Sequence, residues 1–167
     1  MAKQKEVDAI QLLTEQHREV EKLFSKFEKA TKADDQEELF VQIADKLAVH
    51  ARIEEQYFYP AVTAKKTEDM VMEAFIEHTS VKRLLADLLD TEADDPKFEA
   101  QMKVLKEQVE HHVGEEEGEL FPAARKVLGK EELIAIAQEM TALQLELEEQ
   151  EPRNMIPDEV ASQSPTG

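Results

Sequence analysis

Apolar residues recur every three or four positions along most of the chain, the spacing of one face of an α-helix. Over residues 7–30, Ile10, Leu13, His17, Val20, Phe24 and Phe27 share a face, and Lys32-Ala-Asp-Asp then breaks the run. Over 36–59 the stripe is Leu39, Ile43, Leu47, His50, Glu54 and Phe58, with Pro60 just beyond. Over 67–89 it is Val71, Phe75, His78, Val81, Leu85 and Leu88. Asp94-Asp95-Pro96 is a turn and restart signal, with proline at the first helical position. A fourth helix over 97–121 then carries Leu105, Val109, His112 and Glu116 in line. The connections are short, so consecutive helices are expected to be antiparallel neighbours in an all-α, up-down-up-down four-helix bundle. A fifth helix over 130–149, with Leu133, Ile136, Met140, Leu143 and Leu147 in phase, is expected to pack outside the four. These elements make one domain over residues 1–150. The polar stretch with Pro and Ser over 151–167 reads as a disordered acidic/polar tail.

Composition narrows the chemistry. With 167 residues, four Gly and little aromatic content, the chain suits one helical domain. A net charge of −18 opposes binding to nucleic acid or to an anionic membrane surface, both of which need clustered Lys and Arg. There is no cysteine, so disulfides, thiolate nucleophiles, iron–sulfur ligation and zinc–thiolate sites are excluded. Any metal must be held by His, carboxylate or Tyr, which suits iron, manganese or zinc better than copper(I). No apolar run approaches the ~18 residues of a membrane span, and the N-terminus lacks the apolar stretch of a signal peptide. A cytoplasmic location is the expectation.

The polar interruptions of the apolar stripes repeat. His50-Ala-Arg-Ile-Glu54 leads to Phe-Tyr-Pro60, and His112-Val-Gly-Glu-Glu116 leads to Leu-Phe-Pro122. His17 to His78 is 61 residues, and His50 to His112, Glu54 to Glu116 and Pro60 to Pro122 are 62 each. The chain is therefore an internal duplication in which each half offers two His and one Glu. Residues four apart share a helix face, so His50 with Glu54, and His112 with Glu116, can ligate one metal or two adjacent ones. Four His at one level of a bundle core, with two buried Glu, suit two metal ions. Buried carboxylates are costly unless neutralised. With both Glu bridging and two His on each ion, four positions per metal are filled, leaving room for a solvent bridge and a small ligand.

Other residues have weaker claims. Tyr57 continues the stripe of His50 and Glu54, and Glu119 matches it in the second copy; Tyr57 is the candidate catalytic residue, as ferric ligand or proton donor to bound peroxide. Glu21 follows His17 by four, whereas Lys82 follows His78 by four, so the two metals need not be equivalent. Glu21 is a candidate outer acceptor for a ligand His. His111 has no counterpart, Val49 taking its place, and reads as a surface or outer residue; Glu115 reads as exposed.

On His17, His50-x-x-x-Glu54, His78 and His112-x-x-x-Glu116, the chain resembles the hemerythrin-like family, the HHE cation-binding domain, over about residues 7–147. The resemblance implies a four-helix bundle around two non-haem iron ions (Fe2+/Fe3+), oxo- or hydroxo-bridged. It also implies binding, sensing or detoxification of a small diatomic ligand or peroxide, such as oxygen, hydrogen peroxide or nitric oxide, in oxidative or nitrosative stress. Oxygen-carrying hemerythrins have His-x-x-x-His in the third helix and His-x-x-x-x-Asp in the last motif; here Lys82 and Glu116 stand instead. One fewer His favours reactive chemistry or sensing over oxygen storage. Iron–sulfur repair proteins have a similar ligand set with a cysteine-bearing N-terminal region that this sequence lacks. The partners expected are the small oxidant and a separate electron donor. Turnover of the catalase, peroxidase or oxidase kind is one form of this expectation. An iron- or oxygen-responsive binding module without turnover is the alternative, and a metal-free helical interaction protein the third.

Overall fold

The computed structural model describes residues 6–64 and 66–163. The chain folds as an all-α helical bundle. α1 (Ala9–Lys29) starts at a capping box: Asp8 accepts from the Gln11 backbone N–H while the Gln11 side chain accepts from that of Asp8. α2 (Ala33–Ile53) and α4 (Glu68–Leu89) place Asp34, Asp35, Glu68 and Asp69 in their first turns, where the helix dipole favours negative charge. α5 (Pro96–Glu115) starts at an Asp95 cap with Pro96 in its first turn, as the sequence signal requires.

The pairings fix direction. Glu19 meets Lys46 and Gln16 meets His50, so α1 and α2 run antiparallel. Ser80 meets Gln108 and Glu77 meets His112, so α4 and α5 do too. Glu28 meets Lys106 while His17 meets Glu117, so α1 is also antiparallel to α5.

Two helices continue past the proline expected to end them. After Ile53 the backbone widens into a π-helical turn, Glu54–Phe58, and resumes as α3 (Tyr59–Val62). After Glu115 the same happens over Glu116–Leu120, followed by α6 (Phe121–Val127). In each copy the residue before proline donates its N–H to the carbonyl of the ligand-candidate Glu five residues back: Tyr59 to Glu54 and Phe121 to Glu116. Proline has no N–H and its ring clashes with the carbonyl four residues back, so a wider turn carries the helix through where an α-turn would kink.

The core is divided. At one end Ile10, Leu13, Ile53, Phe58, Leu120 and Phe121 pack together, joined by Leu133 and Met140 of α7 (Lys130–Glu148). At the other end Phe24, Phe27, Phe40, Ile43, Phe98 and Leu105 form a second cluster. Buried histidines fall where helices pass from one cluster to the other: His17 between Leu13 and Val20, His78 between Ala74 and Leu85. A polar layer thus lies between two apolar ones.

Two expectations are corrected. Residues 152–163 are not a disordered tail: Pro152–Met155 form a 3-10 turn and Ile156–Gln163 form α8. Pro152 and Ile156 are buried, and Arg153 binds Asp45 through its backbone N–H at 3.0 Å and its guanidinium at 3.1 Å. Residues 164–167 lie outside the described residues. Phe75, placed in the apolar stripe, is 37 % exposed, with its ring against that of Tyr59. No helix among the described residues is long and apolar enough to cross a membrane.

Candidate metal centre

All six residues singled out by the repeat converge in the polar layer, each less than a tenth exposed. They form two groups whose donor atoms lie within 4.8 Å of one another: His17, His50 and Glu116; and Glu54, His78 and His112. Each group takes its two imidazoles from one half of the chain and its carboxylate from the other. One Glu54 oxygen is 3.0 Å from His50 Nε2 and 3.1 Å from His78 Nε2. One Glu116 oxygen is 3.2 Å from His17 Nε2 and 3.1 Å from His112 Nε2. Each carboxylate therefore stands between a His of one group and a His of the other, the place of a bridging ligand.

The outer nitrogens hold the rings. His17 Nδ1 is 2.7 Å from Glu117, His78 Nδ1 2.8 Å from Glu55, His112 Nδ1 2.8 Å from Glu77, and His50 Nδ1 2.7 Å from the Gln16 carbonyl oxygen. These oxygens only accept, so each Nδ1 carries a proton and each Nε2 is directed inward, toward the carboxylates. Three anchors are carboxylates and one is an amide, so the two groups are not equivalent.

Burial lowers the affinity of His17 for its proton, but the bond and charge of Glu116, with Glu54 and Glu117, leave its pKa raised. His78 is raised in the same way against its burial, by Glu54 and Glu55, and His112 strongly, by Glu116 and Glu77. Burial pushes Glu116 up, yet the His112 charge and the bonds from His112 and His17 hold it well below the usual carboxylate range.

Some atoms remain without partners. His17 Nε2, His50 Nε2, Glu54 Oε2 and Glu116 Oε1 are buried with no hydrogen bond of good geometry. Buried imidazole nitrogens and carboxylate oxygens without partners are costly unless a cation joins them. A sulfur-free set of imidazoles and carboxylates fits iron, manganese or zinc.

The tyrosine at the centre is Tyr59, and this corrects the expectation for Tyr57. Tyr57 is half-buried against the apolar core, and its hydroxyl makes no hydrogen bond among the described residues. Tyr59 is fully buried; its hydroxyl donates to Glu116 at 2.9 Å and lies 3.0 Å from His78 Nε2. Burial and the charges of Glu54 and Glu116 push its pKa well above 10.0. The π-turn adds a residue to the register, which α-helical counting from His50 cannot foresee. The second copy has Phe121 at the equivalent place, stacked on His17 at 5.8 Å. The alignment of the Phe-Tyr-Pro60 and Leu-Phe-Pro122 endings was the available signal.

The outer candidates also find places. Glu21 pairs with Arg18 at 2.5 Å rather than with His17; Arg18 in turn holds Glu117. His111 is exposed, 3.1 Å from Glu115 and 3.4 Å from Glu77, the anchor of His112. Glu119 lines a small pocket beside Glu116 with Glu73, Glu77 and Glu115. Lys82, fully expected to differ from its counterpart Glu21, is buried and bound to Glu55 at 2.8 Å. On the far side of the imidazoles lies a cavity of about 40 Å³, walled by Val20, Leu47, Ala48, Val81 and Leu85. It has room for one or two small molecules and few groups to bind water.

Comparison with known proteins agrees with this geometry. A protein of Nostoc sp. described as a DNA nickase is 30 % identical over 133 residues, which are 80 % of this chain and 38 % of that protein. An uncharacterized protein of Mycobacterium tuberculosis is 33 % identical over 89 residues, 53 % of this chain and 54 % of the relative. The chain thus spans only about a third to a half of these relatives' lengths. The crystal structure of a hemerythrin HHE cation-binding domain-containing protein from Mycobacterium kansasii superposes with a TM-score of 0.76 at 26 % identity, covering 94 % of each chain. The sequence profile of the hemerythrin HHE cation-binding domain matches residues 8–124, and the chain belongs to that family.

Proposed function

We propose that this protein holds two iron ions between its repeats and there binds or reacts with a small oxidant (oxygen, peroxide or nitric oxide) in oxidative or nitrosative stress defence. The observation that carries the reading is the pair of carboxylate-linked His clusters with unpartnered buried nitrogen and oxygen atoms. His17, His50 and Glu116 would hold one ion and Glu54, His78 and His112 the other, each Glu also reaching the second ion. When bound, two irons supply redox chemistry and Lewis acidity.

The rest is done by the chain. The Nδ1 anchors fix the imidazoles without further reorganisation. The cavity is walled by Val20, Leu47, Val81 and Leu85 beside the four imidazoles, a mainly apolar lining that favours an apolar or weakly polar ligand. Tyr59 holds its proton deep inside the layer and donates a hydrogen bond to Glu116 at 2.9 Å, which orients that carboxylate. The reading includes a cytoplasmic setting and an external electron donor. Nicking is not part of it: 38 acidic residues against 20 Lys and Arg oppose a phosphate backbone.

The test is metal content with an optical spectrum, on protein purified aerobically from iron-grown cells. Two irons per chain, with near-ultraviolet oxo-to-iron absorption that responds to peroxide or azide, is the expected result. Stoichiometric zinc, or no metal in an intact helical fold, would remove the redox reading. A sensor without turnover is favoured instead if ligand binding is seen without consumption of peroxide or oxygen, and if metal loading changes protease sensitivity at α7 and α8.

A further inference from the structure

The family profile ends at residue 124, so α7 and α8 lie beyond it. Both nevertheless reach a histidine of the centre through buried or partly buried side chains. From α7, Gln144 Oε1 accepts from Gln16 Nε2 at 2.9 Å, and Gln16 Oε1 accepts from His50 Nδ1 at 2.7 Å. Gln144 donates in turn to Glu148 at 2.9 Å. That fixes which end of its amide faces Gln16, and so which end of Gln16 faces His50. With Gln16 reversed, its NH2 would oppose the His50 Nδ1–H and its carbonyl would oppose the carbonyl of Gln144.

From α8, Glu159 binds Arg52 and, at 3.3 Å, the ammonium of Lys82. Lys82 reaches Glu55 at 2.8 Å, and Glu55 accepts from His78 Nδ1 at 2.8 Å. A lysine ammonium is a mobile point charge on a flexible stem. Held between two carboxylates, it has one place to sit, and it sets how Glu55 is presented to His78. The buried Ile156 and the Arg153–Asp45 pair anchor this segment.

The two links end on different clusters, one on the set of His17, His50 and Glu116, the other on that of Glu54, His78 and His112. We propose that α7 and α8 are positioning elements, one per metal: Gln144 fixes His50 through Gln16, and Glu159 fixes His78 through Lys82 and Glu55. This rests on the two-iron reading above.

The experiment loads full-length protein with ferrous iron without oxygen, adds excess ferrous chelator, and follows release. Circular dichroism melts check the fold of each variant. Removing outer-shell partners of metal-binding His weakens metal affinity by about tenfold or more. Gln144→Ala and Glu159→Gln are therefore each expected to release one of two irons about tenfold faster, with the other leaving at the wild-type rate. Combining them should make both irons fast. Lys82→Met tests the α8 link one residue further in, and should serve if Glu159→Gln melts too low. Joined to Glu159→Gln, it should add nothing, since the two act on one link.

Wild-type release from both single variants at full iron loading would overturn the proposal. So would equal acceleration of both irons in each variant, the mark of general loosening. Wild-type protein that takes up no iron would overturn this proposal and the two-iron reading together. The former results leave that reading standing.

Discussion

Tyr59 and Phe121 occupy equivalent places before the two prolines, yet only one brings a hydroxyl into the polar layer. Tyr59→Phe makes the halves alike there. It is expected to leave the bundle folded, to cost the metal-free protein about 1–2 kcal/mol in denaturant unfolding, and to slow reaction with peroxide. Tyr57→Phe should change stability by less than about 0.5 kcal/mol. Equal effects from the two would refute the placement of the tyrosine. The protons of the layer make a further prediction. His17, His78 and His112 have raised pKa values, so their stabilisation of the metal-free protein is full below the ordinary 6.5 and fades as pH rises through the raised values. Glu116 is lowered, so its contribution is present above the ordinary 4.5 and fades as pH falls through the lowered value. The metal-free protein should therefore melt highest in the mildly acidic interval between these values and lose stability above neutrality. Metal needs unprotonated Nε2, so the rise in Tm on metal loading should grow over the same climb in pH. A metal-free Tm that is flat from about pH 6 to about pH 9 would refute this account. The six repeat-register residues were legible because burial of His and Glu is rare and their spacing recurs. Tyr59 was not, because its place depends on a backbone turn that no periodicity records.

Among the elements, the long helices were legible from their stripes to within a few residues, and the chain's passage through Pro60 and Pro122 was not. Proline is a stop signal only when the turn before it is α-helical; the π-turns remove that condition. α8 was missed for a different reason. It is eight residues long, and its apolar contacts come from Ile156 and Val160, too few to make a stripe. Its stability is tertiary rather than intrinsic. Ile156→Ala should therefore cost about 2–4 kcal/mol in a denaturant melt, as a buried truncation does. An unstructured tail would show no change.

At the scale of the whole molecule, a net charge of −18 is spread over a fold whose polar centre buries two carboxylates among four imidazoles. Added salt screens the self-repulsion of the surface, and should raise the Tm of the metal-free protein modestly. Stripping bound metal with a chelator should lower Tm by more than salt restores, because the buried carboxylates lose their counter-charge and the bound ion its linkage to the native state. The all-α architecture and the duplication were legible from sequence; the exchange of carboxylates between halves was not, since His and Glu four apart can serve one ion or two. That exchange has a consequence for the ancestry and mechanics of the chain. Neither half alone holds a complete three-ligand set, whereas two half-length chains related by a two-fold axis would complete each other's. An ion held in either set would be a rivet through both halves, and the repeats could not separate while it stayed. Joined in one chain, the halves are free to diverge, as Tyr59 from Phe121 and Lys82 from Glu21 already have.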